Sequence, residues 1–313
     1  MTARLLEAVP NFSEGRDLAV IEAIVDAMRS TGADILDWSA DPDHNRSVVT
    51  TVGSPEVVAE AAVAGARVAF ERIDLRRHHG VHPRVGALDV LPFVPLTGLT
   101  IDDARDVAIR VGERISNELG VPVFFYGHAS ADSKTLASIR RGGFERLVAG
   151  WPADRAPDLL PPGWSHKGAH PTAGVCCIGA RNVLLAWNVY VDGITMEQAR
   201  AVAAQLRESG GGLPGLRALA LYLPSRNATQ ISMNLEDLTA TTPADAFAHL
   251  ERLVADRGGR VVDTEVIGLL PDAMVLTAAE RYYSLQAGTT DRLLSRRLVQ
   301  HLAANVSTAA RNE

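Results

Sequence analysis

Residues 78–89 read His-His-Gly-Val-His-Pro-Arg-Val-Gly-Ala-Leu-Asp, the densest concentration of usable chemistry in the chain. Histidine is the side chain whose unperturbed pKa, about 6.5, lets it take and return protons near neutrality. Gly80, Pro83 and Gly86 break any regular helix, and the apolar run Val90-Leu91-Pro92-Phe93-Val94 that follows reads as a buried strand. The segment is therefore expected to be a rigid loop delivered onto a sheet. Three uses are open to it. It could be a polar loop whose histidines are bonded for structure. His78, His79 and His82 could hold a metal for hydrolysing an amidine or amide, although Gly80 and Pro83 spoil the helical spacing of zinc motifs. In the preferred reading His82, fixed by Pro83 and flanked by Arg84, is a general acid–base.

Other segments carry polar groups suited to ligands. Asn11-Phe12-Ser13-Glu14-Gly15-Arg16 lies between a strand and a helix, where Ser13, Arg16 and backbone N–H groups could hold an anion or simply cap the helix. In Asp43-His44-Asn45-Arg46, Asn45 could read an amide or pterin-like edge and Arg46 could fork onto a carboxylate; a plain polar turn is the alternative. Lys134, Arg140 and Arg141 form a basic cluster, either a solvated helix face or a landing site for a poly-anionic tail. Neither phosphate-loop glycine pattern occurs, so no nucleotide site is read. Cys176 and Cys177 sit in an apolar, strand-like context expected to keep them protonated, which leaves no thiol nucleophile.

The elements that must position these groups follow from hydrophobic periodicity and capping signals. Strands are expected at 5–9, 33–38, 47–52, near Phe93 and at 121–126. Helices are expected at 18–28, from Ser54-Pro55-Glu56 to about Ile73, and from Thr100-Ile101-Asp102-Asp103 to Gly120. The second half reads strand 183–191, helix 196–207, strands 216–223 and 229–234, a helix opened by Thr242-Pro243, and strand 260–269. Each half thus follows β-α-β-β-α-β, giving an α/β (α+β) fold of two subdomains, residues 1–178 and 179–313. Each would have a mixed sheet covered by helices on one face. The two open faces could then enclose a ligand groove or tunnel. The Pro- and Gly-rich stretch 151–174 is the boundary region, and an apolar helix is expected over 291–304.

Composition narrows the function classes. The chain has 313 residues, 47% of them hydrophobic, enough for one large domain or two compact ones. A formal net charge of -6 argues against general nucleic-acid binding. Two adjacent cysteines make no disulfide framework, which fits a reducing compartment. The first residues lack a signal-peptide core and no stretch of about 18 apolar residues occurs. A soluble cytoplasmic protein acting on small molecules is expected.

Together the motifs resemble the formiminotransferase family, the folate-dependent glutamate formimidoyltransferases. The matching blocks are Val-Pro-Asn-Phe-Ser-Glu-Gly at 9–15, Asn45-Arg46, His-Pro-Arg-Val-Gly-Ala-Leu-Asp-Val at 82–90 and Val-Pro-Val-Phe-Phe-Tyr-Gly at 121–127. Ile-Gly-Ala-Arg at 178–181 and Gln-Ile-Ser-Met-Asn-Leu at 230–235 complete the set. The resemblance implies formimino transfer from N-formimino-L-glutamate to N5 of tetrahydrofolate as co-substrate, with no metal. It also implies a homodimer and a tunnel between two subdomains. The fused cyclodeaminase of the animal enzymes would need roughly 200 more residues, so a stand-alone transferase is expected.

His82 matches the family's catalytic histidine. Asn45, Arg46 and Arg84 would orient carboxylates or the pterin, and the segment from Trp164 through His170 to Gly174 falls where the family binds folate. The candidate binding set is Asn11, Ser13, Glu14, Asn45, Arg46, His79, Arg84, Asp89, Trp164, His170 and Gly174. The sequence departs from the family at Val81 and His128, where acidic residues are common, and in Pro157-Asp158-Leu159-Leu160-Pro161. A non-catalytic folate-binding paralogue is the other alternative these departures raise.

Overall fold

Capping residues set the helix boundaries where the sequence puts them. The computed structural model describes residues 4–283. Ser54 accepts from the Val57 N–H to open α2 (Pro55–Arg72), with Pro55 in the first turn. Thr100 and Asp103 cap reciprocally to open α3 (Ile101–Leu119), which ends at Gly120 in the left-handed region. Asp17 caps α1 (Leu18–Arg29), whose Ile21, Ile24, Val25 and Met28 form the buried stripe.

The first sheet is built on a broken strand. β1 (Leu6–Ala8) and β2 (Asn11–Phe12) are separated by Val9-Pro10, because a proline lacks the N–H a ladder needs. Both pieces lie between β4 (Arg46–Gly53) and β5 (Leu88–Pro95), antiparallel to each, and β3 (Asp34–Asp41) adds outside β4. Beyond β5 the sheet continues in parallel through β7 (Cys176–Ala180) to β6 (Val123–Gly127). This sheet is mixed, as expected.

The second sheet contains β8 (Leu185–Asp192), β9 (Leu216–Leu223), β10 (Ala228–Leu235) and β11 (Arg260–Ile267), in the order β11-β8-β10-β9. It is antiparallel throughout, not mixed. The reason is interleaving. α6 (Met196–Leu206) makes β8 and β9 parallel but leaves a gap that β10 fills in the opposite sense. α7 (Pro243–Ala255) does the same for β10 and β11 around β8. The first half repeats this order as β5, β1/β2, β4, β3, then adds the parallel pair.

The expected division at 178/179 falls inside β7, which is hydrogen-bonded between β5 and β6. The chain therefore crosses between sheets at 181–184. Two short helices, α4 (Leu136–Ile139) and α5 (Gly143–Ala149), have no counterpart in the sequence reading, since one or two turns are too few to show a period. α8 (Asp272–Tyr283) follows β11. The helix expected over 291–304 lies outside the described residues.

Burial shows which faces stay open. Leu6, Phe12, Val49, Leu91 and Phe93 turn toward α1–α3, and Leu185, Trp187, Val189 and Val191 turn toward the helices of the second half. A smaller cluster of Phe124, Ile139, Leu147, Val175 and Cys177 caps the reverse of the β5–β7–β6 strip. The reverse of β4, β1/β2 and β5 remains uncovered, and the helix-free face of the second sheet lies opposite. Between them runs a groove of about 520 Å³, within the range of small-molecule sites.

Candidate active site

His82 lies in the groove wall beside Arg46, Arg140 and His44. Its Nδ1 is 2.8 Å from the Pro83 carbonyl. A carbonyl can only accept, so Nδ1 carries the proton and Nε2 keeps its lone pair. His82 retains some solvent exposure by surface area, yet it sits deep in the groove. Desolvation there, followed by the Arg46 and Arg140 charges, holds its pKa well below the ordinary histidine value, against the opposing pull of Asp89. The resting side chain is therefore a neutral base.

The cations that enforce this state are themselves fixed. Asp89 is fully buried and accepts from Arg46 Nη1 at 2.7 Å, from Arg140 Nη2 and from the Val85 N–H at 2.8 Å. Burial alone raises a carboxyl's pKa. Here the Arg140 and Arg46 charges and these hydrogen bonds outweigh burial and hold Asp89 well below the carboxylate range. Asn11 completes the array: its Oδ1 accepts from Arg46 Nε and Nη2 at 3.1 and 2.9 Å, and its Nδ2 donates to the Val9 carbonyl at 2.7 Å.

Loop contact joins the two histidine-bearing segments. A Cβ on Gly80 would strike the His44 carbonyl, so the loop lies directly on the 42–45 turn, and the Val81 N–H donates to Asp43 O at 3.1 Å. The rings of His44 and His82 are 5.7 Å apart. His44 is 7% exposed, lines the groove, and its Nε2 is buried without a hydrogen-bond partner. Arg140 Nε is in the same condition. Both atoms are closed off in this arrangement, so a ligand reaches them only after a small shift of the side chains around them.

The remaining sequence candidates occupy supporting positions. Asn45, at φ 47, accepts from the Gly15 N–H at 2.9 Å and donates to His79 O at 3.2 Å, so it ties the 13–16 and 78–82 loops together. Ser13 donates to Gly86 O at 2.7 Å, and Glu14 accepts from the Arg16 and Asp17 N–H groups, filling the positions an anion would take. Arg84 turns away from the groove to Glu145 at 2.8 Å and His78 O at 3.1 Å. His78 donates from Nε2 to Asn45 O at 2.7 Å, while the His79 side chain is exposed.

The three histidines thus diverge. Among the described residues no group of three or more His, Cys, Asp or Glu side chains is placed to hold a metal ion. Nothing in the placement of His78, His79 and His82 supports the three-histidine metal site of the hydrolase alternative.

Trp164, His170 and Gly174 do not line the groove. The Trp164 ring packs 4.9 Å from His166 and 6.4 Å from His170. Gly174, at φ +73, exchanges hydrogen bonds with His170 and packs against the Val85 carbonyl. This segment belongs to the cap beside the groove.

Several groove residues lie outside the sequence candidates. Of the basic cluster only Arg140 enters, since Lys134 pairs with Asp158 at 2.6 Å and Arg141 with Asp154 at 3.1 Å. The second sheet contributes Asn188, Ser232 and Asn234, and Arg226 reaches in from the β9–β10 turn. Arg226 Nη1 donates to the Tyr190 hydroxyl at 2.9 Å and its guanidinium lies 5.1 Å from that ring, while Tyr190 donates to Glu265 at 2.9 Å. The available signal was alternation: Ser232 and Asn234 are two apart in the matched block 230–235 and face the same way.

Residues 5–181 match the model of the formiminotransferase domain, N-terminal subdomain, and residues 186–303 match that of the formiminotransferase domain. A glutamate formimidoyltransferase of Streptococcus pyogenes is 37% identical, with 91% of this chain and 95% of that one covered. One from Thermoplasma acidophilum is 38% identical over 96% of this chain and 99% of its own. The formimidoyltransferase-cyclodeaminase of Sus scrofa is 40% identical, and the match takes in 90% of this chain and 52% of that protein. The chain belongs to the formiminotransferase family.

Proposed function

We propose that this protein transfers the formimino group of N-formimino-L-glutamate to N5 of tetrahydrofolate, releasing glutamate, a reading supported by relatives named glutamate formimidoyltransferase. The observation that carries the reading is His82 in the wall of a groove between two open sheets, with its Nδ1 turned to Pro83 O so that Nε2 keeps its lone pair. Tetrahydrofolate as co-substrate would supply the nucleophilic nitrogen. His82 Nε2 accepts the proton that this nitrogen sheds and returns it to the departing glutamate nitrogen, so one base serves both steps. The imidazolium formed between them has Asp89 nearby to stabilise it. His44 Nε2 and Arg140 Nε, buried without partners, become hydrogen-bonding positions for a substrate once its binding shifts the side chains around them. Asn11 and Arg46 shape the floor, while Asn45, Ser13, Glu14, His79 and Arg84 act by holding the loops.

The family resemblance also supports a homodimer and a cytoplasmic protein, which light scattering and fractionation would test. No helix among the described residues is long and apolar enough to cross a membrane.

Mixing enzyme, tetrahydrofolate and N-formiminoglutamate should generate the absorbance of 5-formiminotetrahydrofolate. His82→Ala should lower that rate about 100-fold or more while folate affinity and melting temperature hold. Tight folate binding without turnover would instead identify the non-catalytic paralogue.

A further inference from the structure

Five carboxylates line the groove, and three are committed. Asp41 accepts from the N–H groups of its own turn, Glu236 holds Arg217 at 2.8 Å, and Glu265 accepts from Tyr190. Asp37 and Glu7 have no hydrogen-bond or ion-pair partner among the described residues. Asp37 lies on the edge strand β3, beside a register shift. Glu7 is different. It sits on β1, paired on both sides with β4 and β5, so it projects from the middle of the floor. Its neighbours Leu6 and Ala8 are fully buried on the opposite face.

A half-buried carboxylate on a rigid central strand is hydrated while the groove is open, but a ligand that fills the groove strips that water and must supply donors in its place. Desolvation raises the Glu7 pKa, and the nearby Arg181 charge only partly opposes this. Arg181 itself lines the groove, donates to Asn182 O at 2.9 Å, and has no carboxylate within ion-pair reach among the described residues. The two groups stand side by side as an acceptor and a donor facing the same space.

The geometry points to Glu7 as the residue that grips a planar N–C–N donor pair in the groove, with Arg181 donating to an acceptor beside that pair. This rests on the proposed function and assigns part of its substrate recognition. Two substrates there carry such a pair: the amino-amide edge of the reduced pterin and the formamidine of the one-carbon donor. Position favours the pterin. Glu7 is four residues before Asn11 along the floor, roughly 13 Å at the usual strand rise, and Asn11 holds the Arg46 that flanks His82. A fused bicyclic ring fits between these points, with its donor edge on Glu7 and its reacting nitrogen toward His82.

The test is Glu7→Gln, which keeps size but removes one of the two acceptors and the charge. Equilibrium binding of 5-formyltetrahydrofolate is measured without turnover, and the KM for N-formiminoglutamate is measured at saturating tetrahydrofolate. Loss of a charge-assisted pair predicts about 10- to 100-fold weaker folate binding with the donor KM within twofold of the parent. The reverse pattern would keep Glu7 as the N–C–N reader and assign it to the formamidine. Both constants unchanged, in a variant that melts like the parent, would overturn the inference. If the parent binds folate but does not turn over, the proposed reaction fails while the binding arm still judges Glu7.

Discussion

The two halves share a strand order, helices on one face, and even a hairpin turn. Residues 42–45 and 224–227 each begin with proline and end on an asparagine at φ 47. The open faces nevertheless carry opposite kinds of chemistry. Around His82 on the first sheet the charges are locked together: Arg46 and Arg140 share the buried Asp89, and Asn11 braces Arg46. On the second, Arg226 leans on a tyrosine without a carboxylate partner among the described residues, and Asn188, Ser232 and Asn234 stand free of charge. Committed charges set the protonation state of a neighbouring base, whereas uncommitted donors are available to a ligand. One topology therefore hosts the proposed base and the proposed Glu7 contact on one side and further uncommitted polar groups on the other.

The sharpest way to break this contrast is Asp89→Ala. It leaves two largely buried guanidiniums uncompensated, and the loss of stability should be about 3–5 kcal/mol, read from urea unfolding. A cost below about 1 kcal/mol would mean the first sheet's charges are not committed as described. Arg226→Ala probes the other side. It should raise the KM for at least one substrate about tenfold while kcat changes little. A fall in kcat at constant KM would instead place Arg226 with the chemistry.

His44→Leu is expected to weaken folate binding several-fold while leaving the unliganded protein as stable or slightly more so, since it removes a buried nitrogen without a partner. Titration calorimetry and thermal melting read the two effects separately. Acidification tests the histidines as a set. Burial lowers His82, His78 and His170 below the ordinary value of 6.5. The unfolded chain therefore binds more protons than the folded one below that value. Stability should be full above about pH 6.5 and decline as pH falls toward the folded values. The acid limb of kcat/KM should lie below pH 6.5, because His82 stays unprotonated there. A limb above that value would contradict the description of its surroundings. Least affected should be Ser225→Ala, which removes the contact between the two hairpin tips at Asp43. That pair is exposed, and its loss should cost below about 1 kcal/mol in denaturant.

Much of this was legible in the chain because it depends on local rules. Helix starts at Ser54 and Thr100 and the β-α-β-β-α-β order follow from capping and periodicity, and the motif at 82–90 singles out His82 as the proposed base. Direction was harder. Arg84 stands two residues from His82, yet backbone carbonyls of the preceding turn and Glu145 draw it to the far side. Asn45 looked like a reader of ligand edges, but both ends of its amide are occupied by backbone. Arg140 was visible only as part of a basic cluster. Its pairing with Asp89 spans 51 residues and depends on how α4 lies over the sheet. The division of open and covered faces likewise arises from packing that no single segment encodes.

The contact of Gly80 on the 42–45 turn also bears on redesign. With no room for a side chain between the two loops, a library that varies residue 80 would sample wedged-apart histidines rather than new specificities. Diversity aimed at another donor is better placed across the groove, at residues 188, 226, 232 and 234, where side chains can change without moving the base.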